Sequence, residues 1–153
     1  MPTRRLWTCP RCQRSFTRPG QTHSCGRHSV AALLQRRPRA IVELYRGFVR
    51  RARTVGPVRL APARTRIGLQ NRRIFAAVNR LADDPVDVHL VTSRRLRSRR
   101  FRRVDALAPD CFVHHVRIAS PAELDLELLA WLRLAYAWGL GSEGVHPPPG
   151  RSR

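Results

Sequence analysis

Apolar side chains recur along the chain with two different periods, and the change of period divides it. Between residues 38 and 55 they return every three or four positions, which is typical of one face of an α-helix. Pro38 suits the first turn of that helix, and Gly56-Pro57 ends it. A second helix is predicted from the capping sequence Ser120-Pro121-Ala122-Glu123 to about Trp138. The chain therefore predicts one helix on each side of a central region.

The central region has the alternating pattern of β-strands. Alternating or continuously apolar runs, separated by turn residues, occupy 58–60, 65–69, 74–78, 86–90 and 112–118. The turn Asp83-Asp84-Pro85 precedes the fourth run. Short connections favour an antiparallel or mixed sheet of four to five strands. The predicted fold class is α+β: a small N-terminal zinc finger, a helix, the sheet, and a C-terminal helix packed on the sheet.

A cysteine- and histidine-rich segment precedes the helices. Cys9 and Cys12 form a Cys-x2-Cys knuckle, which places two thiolates on one turn. His23, with either Cys25 or His28, would complete a set of four ligands. Cys25 is favoured because thiolate binds zinc well, whereas His28 borders the next helix. Four protein ligands leave no open position, so the segment predicts a structural Zn²⁺.

A set of short motifs extends from about residue 6 to residue 138. They are Trp7-x-Cys-x2-Cys-x3-Phe, Gln-x-His-Ser-Cys-Gly, Thr65-Arg66-Ile67, Phe75-Ala76-Ala77-Val78, His89-Leu90-Val91, Ser93-Arg94-Arg95-Leu96, Phe101-Arg102-Arg103-Val104, His114-His115 and Ala135-Tyr136. Together they resemble an uncharacterised bacterial family with a zinc-finger-like segment ahead of a small α+β domain of unknown function. That domain is sometimes labelled a predicted transport protein. The resemblance implies the architecture and supports zinc, but it supplies no activity.

The charge of the chain is strongly one-sided. Thirty basic residues stand against ten acidic ones, giving a formal net charge of +20, and every basic residue is arginine. Such a field attracts polyanions whatever the fold, so nucleic acid is the leading predicted partner and an anionic membrane surface the second. Alternatively, the finger is an interaction module that docks an acidic protein. Part of the arginine content is also explained by compositional bias. The absence of lysine excludes a Walker-type phosphate loop and a Schiff-base enzyme.

Arginine is most concentrated between residues 94 and 103, a stretch that we interpret as a long exposed loop or hairpin tip. Guanidinium groups match phosphate oxygens bidentately, and an aromatic ring within the stretch could stack on a base. Alternatively, Leu96 and Phe101 anchor the loop to the core. The predicted nucleic-acid contacts are Arg94, Arg95, Arg97, Arg99, Arg100, Phe101, Arg102 and Arg103. The finger would add Arg11, Arg14, Arg18 and Arg27.

Two adjacent histidines lie in the last strand run. Side chains of neighbouring strand residues point to opposite faces, so His114 and His115 cannot share one role. His114 has the parity of the apolar positions and is predicted to be in the core. His115 faces the other way, where it could form a site for a small anionic ligand with Arg66, His89 and Arg117.

No pattern in the chain favours catalysis. Cys111 is a lone thiol within a strand run. Asp125 and Glu127 lie two positions apart on a predicted helix and therefore do not face each other. The sequence thus predicts a protein that is not an enzyme.

The chain is predicted to have three parts: a zinc-finger-like segment over residues 1–28, an α+β domain over 29–139 and a disordered tail over 140–153. It shows no apolar run of signal-peptide length and no stretch of 18 apolar residues. The predicted protein has no membrane span and is cytoplasmic, a reducing setting in which thiols are free to bind metal.

Overall fold

The computed structural model describes residues 5–16, 18–23, 25–81 and 85–141. Two predictions fall outside these ranges: most of the disordered tail predicted for 140–153, and the Asp83-Asp84 part of the predicted turn. Within the described ranges, no helix is both long and apolar enough to cross a membrane.

Three α-helices occur in the described residues: α1 Val30–Leu34, α2 Arg39–Val55 and α3 Leu126–Leu140. The Ser29 hydroxyl caps α1 by accepting the amide hydrogen of Ala32 at 3.1 Å. The predicted start and end of α2 are confirmed. Its core-facing stripe consists of Ile41, Leu44, Tyr45, Phe48, Val49 and Ala52.

Helix α3 begins later than the sequence predicts. Ser120 and Glu123 do form the predicted capping box, but it caps the N-terminus of a short 3-10 helix, Pro121–Glu123, rather than that of α3. Asp125 then caps α3, its carboxylate accepting the amide hydrogen of Leu128 at 3.0 Å. This second cap restarts the helix and leaves the Asp125 carboxylate at the surface of the domain.

The main sheet comprises, in the described residues, β3 Arg59–Pro62, β4 Ile67–Gln70, β5 Ile74–Leu81, β6 Val86–Thr92, β7 Phe101–Ala108 and β8 Cys111–Ile118. Its strand order is β3-β4-β5-β6-β8-β7, and every neighbouring pair is antiparallel. A small separate ribbon pairs β1 Trp7–Thr8 with β2 Ser15–Phe16. The predicted α+β fold class is confirmed, and each predicted run forms a strand.

Strand β7 is the strand that the sequence did not predict, so the described sheet has six strands rather than four or five. Its residues alternate poorly because it lies at the sheet edge and carries Arg102, Arg103 and Asp105. The prediction of one loop from residue 94 to residue 103 is accordingly wrong at its end. Residues 101–103 are paired with β8 rather than exposed as a hairpin tip.

The two faces of the sheet have different environments. Helices α2 and α3 pack against one face, where Val86, Val88 and Leu90 of β6 are buried. His114 is also fully buried on this face, as predicted from its parity. The opposite face carries polar side chains and opens into a cleft.

Candidate functional site

The local fold of the described residues between 5 and 25 brings distant ligand candidates together. The amide of Cys9 donates to the carbonyl of Arg14 at 2.9 Å, and the amide of Gln13 donates to that of Cys9 at 2.8 Å. Gln13 adopts a left-handed conformation, φ +61°, which closes this turn. The ring of Phe16 then packs 4.4 Å from that of His23. A tight turn and an aromatic contact thus bring residues from opposite ends of the segment together.

Four side chains converge at this point. The ligand atoms of Cys9, Cys12, His23 and Cys25 all lie within 4.8 Å of one another. The Cys9 and Cys25 sulfurs are 3.6 Å apart, and the Cys12 sulfur is 3.3 Å from Nε2 of His23. Nδ1 of His23 bonds the carbonyl of Gln21 at 2.6 Å, which leaves Nε2 for a metal. These four residues could hold a metal ion.

The sequence left two candidates for the fourth ligand, and the structure brings Cys25 into the cluster. His28 lies outside it, in a separate depression that it shares with Ser29 and Arg64. Since Ser29 caps α1, His28 belongs to the entry of that helix, as its position in the sequence indicated.

The thiols of the cluster have divergent acidities. The backbone amide of Cys12 lowers the pKa of the Cys9 thiol to about 6. Burial, followed by the neighbouring thiols of Cys9 and Cys12, raises the pKa of Cys25 to about 11. The first thiolate to form therefore opposes ionisation of the next. A cation among the sulfurs would remove that repulsion and stabilise all of them as thiolates.

Arg100 has a structural position that the sequence did not reveal. Its guanidinium bonds the carboxylates of Asp125 at 2.9 Å and Glu127 at 3.2 Å, and the carbonyl of Glu123 at 2.7 Å. It also lies over the ring of Trp131, 5.1 Å from its centroid. Because both terminal nitrogens of the guanidinium are bonded within the fold, Arg100 is less available for a phosphate than the exposed arginines beside it.

Phe101 is likewise part of the fold rather than a platform for a base. Its ring lies 4.6 Å from that of Trp131 and 4.9 Å from that of His114. Leu96 packs against the core, and its amide donates to Nε2 of His114 at 2.9 Å. The alternative in which Leu96 and Phe101 anchor the loop therefore describes the structure.

The remaining arginines of the stretch have two locations. Arg94, Arg95, Arg97 and Arg99 are exposed on the loop over residues 94–99, which we call the arginine loop. None of these four pairs with a carboxylate of the described residues. Arg102 and Arg103 lie instead on β7 beside the open sheet face.

The predicted sheet-face residues share one cleft. Its volume is about 810 Å³, and Arg66, His89, His115 and Arg117 all line it. The register of β6 and β8 pairs His89 with His115. Asp105 also lines the cleft, and it was not predicted because the polar sequence of β7 does not alternate like that of a buried strand.

His89 is held neutral within this cleft. Its Nδ1 lies 2.7 Å from Oδ1 of Asn79, so that nitrogen carries the hydrogen and donates it. Burial lowers the pKa of His89 to about 4, and the electrostatic influence of His115 and Arg66 acts in the same direction.

We expect a pH-dependent loss of stability from this histidine. The unfolded chain protonates His89 below about pH 6.5, whereas the folded protein does so only near pH 4. Stability is therefore lost as pH falls through this interval, by up to about 3 kcal/mol. Urea unfolding at pH 7 and pH 4.5 measures the loss, which His89→Gln should reduce. His28→Gln is the matched control, and an equal loss in both variants would refute the assignment.

A sheet backed by two helices and preceded by a cysteine–histidine cluster defines the class: an α+β protein with an N-terminal segment able to bind metal. The chain belongs to the family of the domain of unknown function DUF5655, whose model matches residues 30–138. The resemblance to an uncharacterised family is thus confirmed for the domain, and the match begins after the cluster. No curated protein and no solved structure matches the chain.

Proposed function

We propose that this protein is a zinc-binding, non-enzymatic nucleic-acid-binding protein whose arginine loop contacts phosphate groups. The observation that carries the proposal is the state of that loop: it is fixed to the core, and its four guanidinium groups have no carboxylate partner among the described residues. An acidic protein partner and a cytoplasmic setting remain predictions beside it.

The geometry of the cluster supports zinc as its metal. Bonds of about 2.3 Å to sulfur and 2.0–2.1 Å to nitrogen in a tetrahedron place the ligand atoms about 3.5–3.8 Å apart. The 3.6 Å between two sulfurs and the 3.3 Å between sulfur and imidazole nitrogen are close to this. Three thiolates and one imidazole form a common structural zinc set. Zinc would stabilise the fold of the segment, and no open position would remain for substrate.

The arginine loop is ordered before any ligand arrives. The Thr92 hydroxyl donates to the carbonyl of Arg94 at 2.6 Å, which fixes the first residue of the loop. Leu96 is fixed in the middle and Arg100 at the far end. Binding would therefore order only the side chains, which lowers its entropic cost. Each guanidinium that binds a phosphate releases a counterion from the nucleic acid.

The finger and the arginine loop lie at opposite sides of the domain. The guanidinium of Arg59, at the start of β3, bonds the carbonyl of Gln13 and so docks the finger against that strand. The loop leads into β7, and β3 and β7 are the two edges of the sheet. Strands spaced by about 4.8 Å separate these edges by roughly 24 Å. The loop therefore forms a contact region of its own, and the finger would form a second one.

The salt dependence of binding tests this proposal. We expect Arg95→Gln/Arg97→Gln/Arg99→Gln to weaken duplex DNA binding and to reduce the slope of log K against log salt by about 2.7, or about 0.9 for each phosphate that the variant no longer neutralises. Fluorescence anisotropy across a salt series, with duplex DNA, single-stranded DNA and RNA, measures both quantities.

The matched control removes the same charge from the helical side of the domain. Arg39, Arg53 and Arg133 are exposed on α2 and α3, and their triple replacement by Gln should change the slope less. Equal changes in the two triple variants would show that total charge, rather than the loop, determines binding, and would overturn the proposal.

A further inference from the structure

The open face of the sheet contains a cleft that nucleic-acid binding by the arginine loop does not use. We propose that this cleft binds a small phosphate monoester, with its phosphate group held between His89 and His115. The inference stands on the cleft alone and is independent of the proposed nucleic-acid binding.

Each histidine of the pair is oriented by an oxygen acceptor. Nδ1–H of His89 donates to Asn79 at 2.7 Å, and Nε2–H of His115 donates to the Asp105 carboxylate at 2.9 Å. The two ring centroids lie 5.8 Å apart. Nε2 of His89 and Nδ1 of His115 have no hydrogen-bond partner within the described ranges. When protonated, each of these nitrogens can donate to an anion in the cleft.

The charges around the pair leave an excess of cations. The charged side chains that line the cleft, besides the histidines, are Arg66, Asp87, Arg102, Arg103, Asp105 and Arg117. Two of the arginines are balanced: Arg117 by Asp87 at 2.9 Å and Arg103 by Asp105 at 3.0 Å. Arg66 and Arg102 have no carboxylate partner among the described residues. An anion would therefore enter a region of net positive charge.

Proton uptake would accompany binding. His89 is neutral in the free protein because burial, together with the electrostatic influence of His115 and Arg66, opposes its protonation. A phosphate in the cleft reverses the sign of that local field and favours an imidazolium that donates to it. Affinity should consequently rise as pH falls, by up to about tenfold per pH unit for each proton taken up.

The dimensions of the cleft indicate a small organic phosphate rather than a nucleic-acid strand. Its volume of about 810 Å³ lies within the range of ordinary small-molecule sites. Cys111 and Trp138 line the cleft, and Cys111 precedes His115 on β8 by four residues, or about 13 Å. Trp138 is the one Phe, Tyr or Trp side chain among the lining residues, so a series of stacked bases has no platform. A phosphate at the histidines and an apolar or planar body reaching toward Trp138 match this arrangement.

Calorimetric titration of the zinc-loaded protein with adenosine monophosphate, adenosine and inorganic phosphate separates the parts of the ligand. We expect the nucleotide to bind more tightly than phosphate, and adenosine to bind at least tenfold more weakly than the nucleotide. If phosphate alone binds as tightly as the nucleotide, the site recognises the free ion and the phosphate-ester assignment is overturned. Sulfate keeps its charge between pH 6 and pH 8, so sulfate titrations over that interval measure the proton uptake.

Two variants test the location of the site. Arg66→Gln changes an exposed residue that precedes β4, and His115→Gln removes one donor of the pair. Each should weaken nucleotide binding about tenfold or more, whereas the triple variant of the arginine loop should leave it unchanged. The inference would be overturned if the Arg66→Gln and His115→Gln variants bound the nucleotide with unchanged affinity. It would also be overturned if the affinity for sulfate did not change with pH. DNA binding is measured on the same variants, so the two proposals can fail separately.

Discussion

Replacing Cys9 with serine will release the metal and unfold the N-terminal segment while the domain from residue 30 onward stays folded. Cys9 is the one buried apolar residue of the described segment ahead of α1, so this segment has almost no core. Metal binding of about 10–16 kcal/mol would hold it together instead. The domain has its own core between α2, α3 and the sheet. Zinc content and amide NMR spectra report the two parts separately, and a chelator should reproduce the effect.

Two matched variants identify the ligands. Cys111→Ser changes the cysteine that lies outside the cluster, and His28→Gln changes the histidine that was the alternative fourth ligand; both variants should retain one zinc per chain. Loss of zinc from His28→Gln would show that His28 is a ligand. Full zinc retention by Cys9→Ser would refute the cluster. If Cys9→Ser lowered the thermal midpoint of the domain as well as unfolding the segment, the two would unfold as one unit.

Replacing Trp131 with alanine will destabilise the domain by about 3–5 kcal/mol and loosen the arginine loop. The indole is buried on α3, and both Arg100 and Phe101 pack on it. Its removal therefore creates a cavity beneath the point where the loop joins β7. Urea unfolding measures the stability. Trypsin cleaves after arginine, so the rate of cleavage within the loop reports how mobile the loop is. Cleavage after Arg95, Arg97 or Arg99 should become faster.

Leu132→Ala is the control for this variant. Leu132 is fully buried in the same helix, and its truncation should cost a comparable amount, about 2–5 kcal/mol. It belongs to the helix–sheet core, so its truncation should speed cleavage in the loop only to the extent that it raises the unfolded fraction of the protein. If the two variants show the same loop cleavage at equal stability, Trp131 does not fix the arginine loop.

The sequence predicted those features whose causes are local. Helix α2 could be located because Pro38 and an apolar stripe act within a few turns. The strands buried on one face could be recognised by their alternation, as Val86, Val88 and Leu90 show. The cluster that could hold a metal ion was also predictable from the sequence, since the Cys9-x2-Cys12 spacing confines two thiols to one turn. Even the buried position of His114 followed from parity along one strand.

Tertiary structure decided what depends on partners distant in the chain. Strand β7 is polar in sequence, and it is a strand because β8 offers it a free edge for hydrogen bonding. In the sequence Arg100 could not be told apart from its exposed neighbours. In the folded chain its guanidinium bonds Asp125 and Glu127, which are about 25 residues away.

The sequence favoured Cys25 over His28 but left both open, because both spacings permit a tetrahedral site; the folded chain places Cys25 in the cluster and His28 outside it. The sequence could group His89 with His115 as a possibility, but the register of β6 and β8 set them side by side and β7 supplied Asp105. Local periodicity therefore determined the helices and most strands, and local spacing determined the candidate ligands of the knuckle. The pairing of strands, which side-chain period alone does not specify, determined which residues line the cleft.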